Sequence, residues 1–299
     1  MLPNITRSLL ATAFTALMIS TTAAVADNTE DNDRQRYEGH AHKKNHHGGR
    51  SLHVDCDHGQ TLTEALAIAK PGSTILIEGT CNERVVVKTD GLTIEGRGNA
   101  AIDGSGLPVT KSVRTAGLIT VDTARDVTIR SMNVTQSPEA GLVILRGASV
   151  DLEDVSVDTT RFTGIYIYEN ATVEMKDTTV TGAGGGGILV NGNSYLALKG
   201  EINSTGNQGD GIHAFGESTL DLLEATIELS ENSRAGLFVF DAEVHANNIA
   251  FVGPCAVTAR NNGFFGIGIA DGAALLFSRT ASITATHNPT GLYISNGSF

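Results

Sequence analysis

Asp210-Gly211-Ile212-His213 places a carboxylate three residues before an imidazole, across a glycine. Such a pair is a general base with an orienting acid. It suits cleavage of a glycosidic bond, or removal of a proton beside a uronate carboxylate. Glu169 is a second acid that could orient His213, and Arg161 and Arg234 are the cations nearest in the sequence pattern. The plainer reading is that His213 is an ordinary exposed residue and Asp210 is turn chemistry before a glycine. Aromatic residues are the other chemistry-bearing group. Tyr166, Tyr168, His213, Phe215, Phe238 and Phe240 occupy the second and fourth places after a recurring glycine. Rings at those places form a surface on which a sugar could stack. They would also stabilise the fold by stacking on one another with no ligand at all.

The elements that carry these residues follow from the repeat. A glycine followed by apolar alternation occurs eight times, at Gly117, Gly141, Gly164, Gly187, Gly211, Gly236, Gly266 and Gly291. The steps run from 23 to 30 residues. Within a step, three short runs alternate with period two: Ile165/Ile167, then Val173/Met175, then a third run ending at Val180. Gly, Asn, Ser and Thr separate the runs. No step has helical periodicity, which excludes leucine-rich and ankyrin-type solenoids. The pattern predicts an all-β solenoid: a single-stranded right-handed parallel β-helix with three short strands per coil. Each strand pairs with its equivalent one coil on, and Ile, Leu and Val line a dry interior. Second and fourth residues then point outward. The run Gly182-Ala183-Gly184-Gly185-Gly186-Gly187 has almost no side chains. It predicts a notch walled by Tyr166 and Tyr168 on one side and by His213 and Phe215 on the other, or simply a tight turn. Asn207, Asn232 and Asn262 each stand four residues before a repeat glycine and predict an internal amide ladder.

Outside the repeats, residues 1–26 read as a signal peptide. Arg7 begins it, an apolar stretch follows, and Ala24-Val25-Ala26 ends it. The mature chain is then expected to be secreted or periplasmic, or at the cell surface, with no membrane span. Residues 27–53 form a polar, His-rich segment expected to be disordered. Its His40, His42, His46 and His47 could bind Zn2+ loosely, or be a solvated spacer. Residues 54–299 are the β-helix domain; the chain stops one strand into a coil, so either the domain is cut short at its C-terminal end or another surface covers that end. Thr61 to Lys70 is the one helical stretch, with Thr61 and Glu64 as a capping box and Pro71-Gly72 as a stop. It is placed to lid the open first coil. Export permits a Cys56–Cys81 disulfide, and Cys255 is left over. Formal charge is −12 from 21 basic and 33 acidic residues, which argues against a nucleic-acid partner.

Val54-Asp55-Cys56, Thr61-Leu62-Thr63-Glu64-Ala65-Leu66, Pro71-Gly72-Ser73-Thr74-Ile75, Gly79-Thr80-Cys81 and Leu92-Thr93-Ile94-Glu95-Gly96 resemble the opening of secreted right-handed parallel β-helix proteins of the pectin-lyase-like superfamily. The later repeats are similar to that superfamily and to autotransporter passengers. The resemblance implies the fold over residues 54 to 299 and a polysaccharide or cell-surface partner, with Ca2+ or Zn2+ conceivable as cofactor. It does not fix activity, since the superfamily includes lyases, hydrolases, epimerases and inert stalks. The polygalacturonase-type pattern needs an Asp pair and Gly-His-Gly, both absent here. Pectate-lyase-type signatures contain Trp, and this chain has none. The expected function is therefore non-catalytic binding of a glycan or surface partner through the aromatic face. The alternatives are a lyase or hydrolase acting on acidic polysaccharide, and a metal-associated periplasmic protein.

Overall fold

The computed structural model describes residues 49–110, 116–240, 248–252, 255–276 and 281–295. The signal segment and His40, His42, His46 and His47 lie outside these residues. Residues 46–299 make one compact unit. It is a parallel β-helix built from two sheets, one of nine short strands and one of fourteen. All the strand pairs are parallel, and each strand pairs with its counterpart one coil away.

The interior is filed as the repeat requires. Ile119, Leu142, Ile165, Ile188, Ile212, Leu237 and Ile267 follow one another in register down the short-strand sheet. Each is fully or almost fully buried. In the other sheet Val150, Val173, Leu196 and Leu220 do the same. The second and third runs of a coil are one continuous strand in the middle coils, as in Ser149–Asp158, Thr172–Thr181, Tyr195–Thr205 and Thr219–Glu228. Each strand bends at a left-handed residue: Asp154, Asp177, Gly200 and Glu224, with φ between 50° and 64°. The corner expected between two strands is thus a single-residue kink.

The recurring glycine has a steric cause. A Cβ on Gly141, Gly164, Gly187, Gly211 or Gly236 would lie 2.7 Å from the carbonyl oxygen of the repeat glycine one coil on. The glycines therefore stack as a column with no room for side chains. Beside them runs the amide ladder. Asn207 Nδ2 donates to Asn232 Oδ1 (2.9 Å), Asn232 Nδ2 to Asn262 Oδ1 (3.2 Å) and Asn262 Nδ2 to Asn288 Oδ1 (3.0 Å).

At the start, helix Leu62–Ile68 lids the first coil. Thr61 Oγ1 accepts from Glu64 N–H, and Leu62 and Ala65 are buried. Cys56 and Cys81 are joined by a disulfide, and Cys255 lies in the core. Ser51–Asp55 is a strand paired with Thr74–Glu78. Residues 51–53, expected in the disordered segment, therefore belong to the domain. Val54 points inward between the outward His53 and Asp55, an alternation that the histidine content had obscured. Among the described residues no helix is long and apolar enough to cross a membrane.

Candidate functional site: an aromatic face beside an Asp–His pair

The outer face of the short-strand sheet carries two columns. One runs Val143, Tyr166, Leu189, His213, Phe238, Gly268, Tyr293. The other contains Leu145 beside Tyr168, and further along Phe215, Phe240 and Ala270. Rings meet along the later coils. His213 lies 4.8 Å from Phe215 and 5.2 Å from Phe238 between ring centres, and Phe238 lies 6.2 Å from Phe240. At Gly268 the column would break. Instead, Phe238 and Phe265 lean over the glycine, where a Cβ would meet the Phe238 ring at 2.6 Å and Phe265 at 3.2 Å. Phe238 and Phe265 stack at 6.2 Å, and Phe265 stacks on Tyr293 at 4.6 Å. The rings from His213 to Tyr293 are thus one continuous group across four coils, half-buried to exposed. Phe264 adds a ring 60% exposed beside Phe265.

The earlier coils differ. Tyr166 and Tyr168 stack on each other at 4.6 Å, but Tyr168 is only 8% exposed. It packs with Ala140, Val143 and Leu145 in a second apolar cluster outside the tube. Tyr168, expected on an open surface, therefore contributes little to one. Burial raises its phenol pKa, and the neighbouring Glu169 and Tyr166 add to the effect. Between the two ring groups sit Leu189 and Asn191, with Asn191 Nδ2 3.3 Å from the Tyr166 hydroxyl.

Asp210 and His213 do come together. His213 Nδ1 is 3.1 Å from Asp210 Oδ2. The Ala235 N–H donates to Asp210 Oδ1 at 3.0 Å, and the Arg234 guanidinium is 3.8 Å from Oδ2. Burial alone would raise the Asp210 pKa. The bonds from His213 and Ala235, with the His213 and Arg234 charges, outweigh it, and the net shift is downward. Asp210 is thus ionised at neutral pH and can only accept, so Nδ1 of His213 is the donor in this contact. Nε2 is buried among the rings with no hydrogen-bond partner. The pair is oriented as a base requires, but its basic nitrogen is roofed by aromatic side chains.

Glu169 does not join this pair. It follows strand Ile165–Tyr168, whereas Asp210 precedes strand Ile212–Phe215 two coils on. In a parallel sheet these are opposite ends. Glu169 instead lies at a left-handed turn near Arg146, whose guanidinium pairs with Asp122. Hydrogen bonding from Arg146 holds the Asp122 carboxyl below the usual carboxylate range. Arg161 is also spent locally, over its neighbour Phe162 at 5.4 Å. The Gly182–Gly187 run is bonded to the turns on either side of it. Its turn nests against its neighbours: Gly184 N–H donates to Thr160, Gly185 N–H to Phe162, and Gly209 N–H to Gly185, all at 2.8 Å. Among the described residues, one set of three metal-ligating groups converges, Cys56, Cys81 and Glu83, far from the aromatic face.

The missed contributors are Phe264 and Phe265. Their signal is visible in hindsight, since other coils place Gly185-Gly186, Gly209-Asp210 or Arg234-Ala235 in that slot before the glycine.

No curated protein sequence matches the chain. Among solved structures, pectate lyase Pel9A aligns with a TM-score of 0.54 and 14% identity over 80% of this chain and 78% of the other. The A-module of the Azotobacter vinelandii mannuronan C-5 epimerase AlgE4 aligns with a TM-score of 0.52 and 15% identity, over 76% and 70%. At such identities the likeness is one of fold. A family model, the right-handed β-helix region, matches residues 116–299. With the stacked coils described above, this establishes that the chain belongs to the right-handed β-helix family.

Proposed function

We propose that the chain is an exported protein that binds a carbohydrate through the aromatic face running from His213 to Tyr293, without chemistry of its own. One observation carries this reading: six rings in mutual contact across four coils, half-buried to exposed on the outer face of the short-strand sheet. Self-stacking accounts for their contacts but not for the 60% exposure of Phe264. The C–H faces of a sugar ring fit such a platform, and contiguous exposed apolar surface marks contact sites. The aligned structures are enzymes named for polysaccharides, which supports a glycan as the partner. The amino-terminal charge and apolar pattern and the disulfide support export.

The Asp210–His213 pair favours a second reading, a lyase or hydrolase with His213 as base. Its roofed Nε2 places this second. Both are tested by presenting the full chain with pectate, alginate, chondroitin and neutral glycans. Binding is expected, with no rise in unsaturated or reducing ends. Phe238→Ala is expected to weaken it about tenfold, the ~1.4 kcal/mol of one good ring contact. Unchanged binding in Phe238→Ala overturns the platform. Product formation abolished by His213→Ala establishes the enzyme instead.

A further inference from the structure

The short-strand sheet ends on strand Thr290–Ile294. It pairs with Phe265–Ala270 on one side and with no strand among the described residues on the other. Strand Ala281–Thr286 likewise pairs on one side only, with Cys255–Arg260. The inward files run out with these strands. Ile267 and Ile269 are 0% and 1% exposed, whereas Leu292 and Ile294, next in the same files, are 54% and 50% exposed. On the other sheet Val257 is buried, and Ile283, which follows it, is only half-buried. The last described coil therefore presents its backbone edge and its aliphatic lining together.

Charged side chains are the usual guard on a strand edge. Residues 281–295 contain no Asp, Glu, Lys or Arg, in a chain whose net charge is −12. The four long strands before them each carry at least two such residues: Asp151 and Glu153, Glu174 and Lys176, Lys199 and Glu201, Asp221 and Glu224. The opposite end of the tube is closed. Helix Leu62–Ile68 lies over the first coil with Leu62 and Ala65 buried beneath it, and Asp57, Glu64 and Lys70 are exposed there. Head-to-tail stacking of two copies would set an apolar edge against that lid and those charges.

We propose that the open end pairs with the same end of a second copy of this chain, making a closed two-fold dimer. A two-fold axis perpendicular to the tube sets strand Thr290–Ile294 antiparallel to its own copy and keeps inward residues inward. The aliphatic interior then runs through from one protomer to its partner. An axis through the middle of the strand pairs it over its full length and places Leu292 opposite the partner's Leu292. Leu292, Ile294 and Ile283 leave water, and no ionised side chain of residues 281–295 has to be desolvated. Both lid helices face outward, so assembly stops at two. Tyr293, on the outer side of the same strand, brings the aromatic platform of each protomer to the junction. That consequence rests on the carbohydrate-binding reading; the dimer does not.

The test is analytical ultracentrifugation of the full chain over a wide range of concentration, with no glycan present, so its failure is separate from a failure of carbohydrate binding. A monomer–dimer equilibrium is expected. Leu292→Lys and Leu292→Glu are each expected to weaken association at least about a hundredfold, because like charges meet across the axis. An equimolar mixture of the two variants is expected to regain a dimer, since opposite charges then face each other. A wild type that stays monomeric overturns the proposal. A dimer that both variants retain places the interface elsewhere and overturns it too, as does open-ended growth with concentration. A mixture that stays monomeric shows that the substitutions only disorder the last coil, and removes Leu292 from any interface. Far-ultraviolet circular dichroism of both variants checks that the remaining coils survive.

Discussion

Asp210 is the residue on which local chemistry turns. Its carboxylate is held by His213, by the Ala235 N–H and by Arg234, and its pKa lies below the unfolded value. A depressed carboxyl stabilises the fold above the unfolded pKa, about 3.9, and that contribution is lost as pH falls through the lower folded pKa. Asp210→Asn keeps an acceptor for Ala235 but loses the charge. It is expected to cost about 1–3 kcal/mol at pH 7. Urea unfolding from pH 7 down to pH 2 should show the gap to wild type constant until about pH 4 and then closing. A gap that stays open in acid would show that the charge is not the stabilising element. The pairing was legible in the sequence because both residues sit at the mouth of one strand. The exclusion of Glu169 was not, since it depends on which end of a neighbouring strand a turn occupies.

At the scale of the element, two columns hold coil to coil. The repeat glycines have a neighbouring carbonyl where a Cβ would stand, so Gly187→Ala should force the coils apart at a cost of roughly 1–3 kcal/mol. The asparagine ladder is the second column. Asn232 is 1% exposed; its Oδ1 accepts from Asn207 N–H and Nδ2, and its Nδ2 donates to Ser204 and Asn262. Asn232→Ala leaves several buried groups without partners and is expected to cost about 2–5 kcal/mol. Chemical denaturation of both variants measures these costs, and losses under 0.5 kcal/mol would remove the columns from the account of stability. Three rungs of the ladder were readable from their common offset to the glycine. Asn288, the fourth, was hidden because it precedes Gly291 by three residues rather than four.

For the molecule as a whole, each coil touches chiefly its neighbours, so stability is a sum of coils and interfaces. The lid helix and the disulfide act at one end of that series. The bridge closes a loop of sequence separation 25. Reducing it is expected to cost about 3 kcal/mol. Hydrogen exchange should then quicken first in the strands near Ser51–Asp55 and Thr74–Glu78, leaving the coil around Ile188 protected until global unfolding. Uniform acceleration along the whole chain would contradict a coil-by-coil solenoid.

The amino-acid sequence by itself determined the coil. A glycine that excludes a Cβ and an alternation that fills the tube are local demands, repeated in every lap, and their period can be counted. Tertiary structure decided what the outer surface became. Val143, Leu145 and Tyr168 occupy outward places yet are buried, whereas Phe265 joins the rings by leaning across Gly268. Outward placement is set by the strand's own alternation, but exposure is set by whatever packs on top. That depends on neighbours distant in sequence, which no period records.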